Sequence, residues 1–371
     1  MIGNLPNVSL SRRWAVAVAL FAACLLVASC SSSGGGSAGG SSGDTGATTA
    51  RTTAVPASAA KPSPGCASGG AQPAVLQDQR TVDVDGTARQ YLLTLPAPAG
   101  DKPLPLVLDF HGLAEGMQVH AQESQFGPLA QKDGFVVVQP NGTGSPLMWD
   151  TSTDPATNKD LKFITTLLHA LATEHCIDET RIYSTGLSMG AFMTSTLTCA
   201  LSDRIAAAAP VAGVQMADRC QQSRPVPILA FHGTQDPILF FNGGIGYDRL
   251  KGVLPGAGGD QGTTTTTTTA PPDVNGAGYP ETIRKWAKKY RCGANPTDTK
   301  QAQHVTLRSY HCPTGVAVDF TIVDGGGHSW PGSQFDKQIA SIVGPTNYEV
   351  NASELIWKFF QRFQVKNPPT L

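Results

Sequence analysis

The sequence predicts an α/β fold: a mostly parallel central sheet with helices on both faces and an antiparallel hairpin at its N-terminal side. Three observations predict it. Residues 104–110, 135–139, 181–184, 205–211, 226–231 and 318–323 are apolar nearly throughout, as strands buried on both faces must be. Stretches with apolar side chains at helical spacing lie between these runs. Ahead of them, residues 81–84 and 89–95 flank Asp85-Gly86, a dipeptide suited to a two-residue hairpin turn.

Taken in chain order, the hairpin opens the fold and the buried runs then alternate with helices, the pattern of a parallel sheet covered on both sides. The clearest helix puts Leu161, Ile164, Leu167, Leu168 and Leu171 on one face. Residues 279–290 gather Ile283, Trp286 and Ala287, and the last helix begins at Asn351-Ala352-Ser353-Glu354, a capping-box-like start. One domain over residues 66–371 is expected. Its exception is residues 242–276, Gly-rich and carrying Thr263 to Thr269 in an unbroken run, which read as a disordered insertion in one loop.

The 371 residues are 40% hydrophobic, enough for a large core, and the formal net charge of -1 offers no basic surplus for nucleic acid. Residues 1–29 read as an export leader: Arg12-Arg13 is its positive start, and residues 14–27 form an apolar run shorter than the roughly 20 residues a membrane span needs. Val27-Ala28-Ser29-Cys30 resembles a bacterial lipobox, which makes Cys30 the lipidated residue. Residues 30–65 are mostly Ser, Gly, Thr, Ala and Pro and are expected to be a disordered tether. Export agrees with the cysteines. Beyond the leader and Cys30, six remain, with fifteen possible connectivities. Cys199 with Cys220 and Cys292 with Cys312 would close the shortest loops, leaving Cys66 with Cys176. No Cys-x-x-Cys pair points to zinc, and no metal or cofactor is expected.

The chemistry centres on Gly186-Leu187-Ser188-Met189-Gly190. A β-branched and aromatic run precedes it and a helical pattern follows, so Ser188 is expected on a sharp strand-to-helix turn with its hydroxyl exposed at the sheet edge. A serine hydroxyl needs a general base held by a carboxylate, and on this architecture the chain order is serine, acid, histidine. His328 sits in Gly325-Gly326-Gly327-His328-Ser329-Trp330-Pro331-Gly332 after the last buried run and is the candidate base. Asp236 follows the preceding run in His232-Gly233-Thr234-Gln235-Asp236-Pro237 and is the candidate acid; Asp319, Asp324 and Asp248 are less well placed. His304 and His311 read as surface residues in a polar strand pair, and His111 as a loop residue. The backbone N–H groups of Met189 and Leu113 are the candidate oxyanion donors. Trp149 and Trp330 are candidates either for lining the substrate site or for packing its loops, and His232 either braces its loop or lines the site.

Asp109-Phe110-His111-Gly112, the Ser188 pentapeptide, Phe231 to Pro237 and Gly325 to Gly332 together resemble the polyhydroxybutyrate depolymerase and feruloyl esterase family of α/β-hydrolases, including its LpqC-type lipoprotein esterases. The resemblance spans roughly residues 66–365 and implies Ser188 as nucleophile, Asp236 as acid and His328 as base, with carboxylester hydrolysis through an acyl-enzyme and no cofactor. Asp109 departs from the family pattern, standing where an apolar strand residue is usual, and so does the Thr-rich insertion after Asp236. The expectation is an exported serine esterase for polyhydroxyalkanoate-, feruloyl- or acetyl-type esters. It would be a monomer on the outer face of the membrane, held only by the lipid on Cys30, or else secreted. A non-catalytic lipoprotein that binds glycan or polyester, a serine peptidase and an acyltransferase are the alternatives.

Overall fold

A computed structural model describes residues 59–68, 73–97, 102–216, 220–246 and 270–371. The expected export leader, Cys30 and most of the expected tether lie outside these residues, as does the centre of the insertion, 247–269.

Ten strands form one sheet in the order β1-β2-β4-β3-β5-β6-β7-β10-β9-β8. β1 (Val75–Val84) and β2 (Thr87–Leu95) are antiparallel, joined through Asp85 and Gly86, whose φ of 53° and 79° meet the demand of a two-residue hairpin for positive φ at both positions. β2 lies antiparallel to β4 (Val136–Pro140). From there the sheet is parallel through β3 (Leu104–Phe110), β5 (Ile177–Leu187), β6 (Ile205–Val211), β7 (Ile228–Gly233) and β10 (Val318–Val323). β9 (Val305–Ser309) and β8 (Thr297–Ala302) close the far edge antiparallel. This order, with helices on both faces, is the α/β-hydrolase fold.

Alternation along β3 shows why its run is apolar throughout. Leu106, Leu108 and Phe110 join a core with Ile164, Leu167 and Leu171 of α3 (Lys159–Glu174) and Leu197 of α4 (Met189–Ala200). Val107 points the other way, into a core with Phe135, Trp357 and Phe360, the last two from a helix at Ala352–Phe360. α3 is started by Asn158, whose side chain accepts the N–H groups of Asp160 and Leu161; Asn351 does the same for Glu354 N–H. A further amphipathic helix, Tyr279–Lys289, buries Ile283 and Trp286 beside β7 and β10.

The described structure departs from sequence expectation in three places. β5 is longer than residues 181–184 because Asp178, Glu179 and Thr180 are buried strand residues despite their polarity. Asp178 accepts from Lys61 N–H, the Thr180 hydroxyl and Arg181, and Glu179 pairs with the Lys61 ammonium at 2.8 Å. Ordered chain begins before Cys66, since Ser63 is buried with its hydroxyl donating to His175 O and accepting from Ile177 N–H. Two short helices, α1 (Met117–Ser124) and α2 (Phe126–Asp133), fill the β3–β4 connection; their weakly periodic sequences do not announce them. Disulfides join Cys66 to Cys176, Cys199 to Cys220 and Cys292 to Cys312. The ends of the insertion are tied to each other: Asn242 donates to Pro271 O and accepts from Asp273 N–H, both at 2.9 Å.

Candidate active site

Ser188 lies between the end of β5 and the first turn of α4 with φ 56° and ψ -116°, a conformation that L-residues rarely adopt. Close backbone crossing enforces the turn. A Cβ on Gly190 would sit 2.1 Å from Phe110 O, and one on Gly186 would sit 2.6 Å from the same atom, so neither position admits a side chain. Ser188 N–H is held by Val211 O at 2.9 Å. The residue is half-buried at the carboxyl edge of the parallel strands, and among the described residues its hydroxyl has no hydrogen-bond partner.

Asp236 follows β7 and His328 follows β10, two neighbouring parallel strands. Their side chains meet, with His328 Nδ1 2.8 Å from Asp236 Oδ2. Asp236 is fixed from its other side by the N–H groups of Ile238 and Leu239, each donating to Oδ1 at 2.8 Å. His328 is fixed through its backbone, because Gly327 and His328 donate to Pro345 O and Val343 O at 2.6 Å. A carboxylate held by donors on Oδ1 and facing Nδ1 makes that nitrogen the protonated one, which leaves Nε2 as the basic atom. Asp324, by contrast, is exposed and accepts from the Thr234 hydroxyl at 3.1 Å.

The loop after β3 approaches Ser188 from the opposite side. A Cβ on Gly112 would stand 3.5 Å from Ser188 Cβ. Gly112 N–H donates to Glu115 Oε2 at 2.6 Å, and Ala114, with φ 63°, donates to Leu147 O. Among the described residues the N–H groups of Leu113 and Met189 have no protein acceptor, and Met189 opens α4, where N–H groups have none within the helix. His111 is buried. Its Nδ1 donates to Gly112 O at 2.6 Å while Nε2 accepts Gly142 N–H at 2.8 Å, which requires the neutral ring. Burial accordingly lowers its pKa to about 4, against smaller opposing effects of the Gly112 carbonyl and the Glu115 and Asp109 charges.

Three sequence candidates need correction. Trp149, Trp330 and His232 are 2%, 1% and 1% exposed, so none presents a ring to a substrate. Trp149 donates Nε1–H to His111 O, and Trp330 donates to the Ser353 hydroxyl; both brace loops from inside. His232 stacks on Tyr279 at 3.8 Å between centroids and bonds Leu239 O at 2.8 Å; burial holds its pKa below the usual range, so it is a neutral support for the Asp236 loop. His304 and His311 lie at the exposed β8–β9 edge, as the sequence suggests.

Sequence reasoning missed a buried polar cluster beneath the β3 loop. Asp109 accepts from His120 Nε2 at 2.7 Å, the Ser124 hydroxyl at 2.7 Å and Gln139 at 2.9 Å, which explains how an aspartate occupies an interior strand position. His120 Nδ1 faces Glu123 Oε2 at 3.1 Å and Glu115 Oε2 at 3.8 Å. Burial is the largest influence on the His120 pKa and lowers it, but the charge and hydrogen bond of Asp109 together with the Glu115 and Asp336 charges raise the net value. Asp336 accepts Trp330 N–H at 2.6 Å. Only the departure at Asp109 hinted at this cluster, because its members come from two strands, one helix and two loops.

Residues 89–250 match the family described as Esterase PHB depolymerase, a span that includes Ser188 and Asp236 but not His328. The chain is 28% identical over 249 residues to feruloyl esterase B of Piromyces equi, covering 65% of this chain and 42% of that protein. It is 31% identical over 150 residues to the bifunctional acetylxylan esterase/xylanase XynS20E of Neocallimastix patriciarum, covering 40% of this chain and 21% of that protein. Against feruloyl esterase D of Neurospora crassa it is 28% identical over 201 residues, 50% of this chain and 66% of the other. The chain therefore spans less than half the length of the first two relatives. With an α/β-hydrolase sheet and a serine on a strained β5–α4 turn, the chain is similar over residues 89–250 to the Esterase PHB depolymerase family and, over longer or shorter spans, to these feruloyl and acetylxylan esterases.

Proposed function

We propose that the protein is an exported serine carboxylester hydrolase whose catalytic residues are Ser188, Asp236 and His328. The observation that carries this reading is the Asp236–His328 contact of 2.8 Å at the same sheet edge as the strained Ser188 turn. In the reaction, His328 Nε2 takes the Ser188 Oγ proton as Oγ attacks the ester carbonyl carbon, and the N–H groups of Met189 and Leu113 hold the oxyanion. Collapse breaks the bond to the alcohol, which leaves with the proton from His328. A water, deprotonated by the same nitrogen, then releases the acid and restores Ser188. Asp236 stays ionised throughout and stabilises the imidazolium. The Ser188–His328 hydrogen bond is made as substrate binds, a tightening that is common in hydrolase sites.

The names of the relatives, feruloyl and acetylxylan esterases, support a feruloyl ester or an acetylated xylan as substrate. Export through residues 1–29, lipidation at Cys30 and a tether reaching toward residue 59 are part of the same proposal, supported by the leader-like sequence and the three disulfides. The test is turnover of methyl ferulate, p-nitrophenyl acetate and hydroxybutyrate oligomers by wild type and Ser188→Ala. Wild type is expected to cleave at least one class, and the variant to fall by about 10^4 or more with an unchanged fold. Residual activity above about a thousandth of wild type would contradict the assignment.

A further inference from the structure

We propose that Glu115, His120 and Glu123, with Asp336 behind them, form a binding site for one divalent transition cation, Zn2+ or Mn2+, separate from the proposed hydrolytic residues. One donor atom from each of Glu115, His120 and Glu123 falls within a sphere in which all pairs are closer than 4.8 Å. The edges from His120 Nδ1 are 3.1 Å to Glu123 Oε2 and 3.8 Å to Glu115 Oε2. Ligands about 2.0–2.2 Å from a shared cation stand roughly 3.0–3.6 Å apart, so both edges need only small adjustments to close on one ion.

Two further features point to a cation. The first is the far side of the imidazole. His120 Nε2 donates to Asp109 Oδ1 at 2.7 Å, and Asp109 is itself fixed by Ser124 and Gln139. That is how a carboxylate orients a metal-bound histidine, presenting the unprotonated Nδ1 to the ion. The second is Asp336, which is wholly buried. Its Oδ2 accepts Trp330 N–H, but Oδ1 has no hydrogen-bond donor and the carboxyl lies within bonding reach of that of Glu123. Carboxyl groups crowded together in a buried site are balanced either by a shared proton or by a cation, and the three donor atoms already gathered at Glu115, His120 and Glu123 favour the cation.

The donor set, one imidazole nitrogen with carboxylate oxygens, suits a borderline divalent metal better than a thiolate-seeking one. Glu115, whose side chain is 13% exposed, is the rim through which an ion would enter. Because Glu115 also holds Gly112 N–H, the ion would tie helix α1 to the loop after β3.

The experiment uses the full chain, expressed with Zn2+ and Mn2+ supplied, dialysed, and analysed by elemental mass spectrometry and thermal unfolding. Wild type is expected to retain about one equivalent of one of the two metals, and chelation to lower its melting temperature by several degrees, reversibly on re-addition. Glu123→Gln is expected to weaken retention at least about tenfold; Glu115→Gln, at the partly exposed rim, gives the same readout if the buried variant fails to fold. Folded wild type holding below about a tenth of an equivalent, with a melting temperature indifferent to chelator and to both ions, overturns the proposal. In that case a proton, not a metal, joins Glu123 and Asp336.

Discussion

Lowering the pH should loosen the β3 loop through a single residue, His111. The neutral ring is built into the fold, with Nδ1–H on Gly112 O and Nε2 accepting Gly142 N–H. Protonating Nε2 would set two N–H groups against each other inside the protein. The folded pKa, about 4, lies below the ordinary value of 6.5, so between these limits the unfolded chain binds more protons than the folded one. Stability is therefore intact above about pH 6.5, falls as the pH drops through that window, and levels off near pH 4. At 1.36 kcal/mol per decade the interval corresponds to about 3 kcal/mol. The assay is urea unfolding at pH 7.5, 6, 5 and 4 on wild type and His111→Gln, whose amide can accept the Gly142 N–H but does not titrate. His175, also lowered to about 4 by burial, and the buried carboxyls contribute equally to both proteins and cancel in the difference. The variant is expected to be less stable at pH 7.5 but to lose about 3 kcal/mol less on acidification. Parallel pH curves for the two proteins would refute the reasoning.

Two further perturbations probe the proposed site. Asp236→Asn should cost about 10^4 in kcat/KM, since the amide cannot hold His328 Nδ1–H in the same way. Asp324→Asn, at an exposed carboxylate, should cost less than about tenfold; the reverse ranking in esterase assays would move the acid. Gly190→Ala puts a methyl group 2.1 Å from Phe110 O, so a loss of about 3 kcal/mol or more is expected. A melting temperature within about 2 °C of wild type would contradict the close β5–α4 crossing as the reason for a glycine there.

How much of this was legible in the sequence depends on the range over which each feature is encoded. The strands of the parallel sheet were readable because burial on both faces writes itself as an unbroken apolar run, as in Leu104–Phe110 and Ile205–Val211. The Asp85-Gly86 turn and the Asn351 cap were readable because each is a contact within a few residues. Ser188, Asp236 and His328 could be singled out since each follows an identifiable strand in a Gly-framed loop. The first half of β5 was hidden because the partners of Asp178 and Glu179 include Lys61, far away in the chain. Trp149 and Trp330 stayed open between two readings for a related reason: a loop tryptophan next to a candidate site looks the same in sequence whether it faces solvent or carries the loop from below, as both do here. The cluster around His120 left almost no trace, its members running from Asp109 to Asp336.

The central claim is that Ser188 is the activated nucleophile. Intact-protein and peptide mass spectrometry after brief exposure to a fluorophosphonate tests it most directly. One phosphonyl group is expected per folded wild-type chain, located on the peptide containing Ser188, absent from Ser188→Ala and strongly slowed in His328→Ala. Folded wild type that stays unlabelled, or a label that persists in Ser188→Ala, would contradict it.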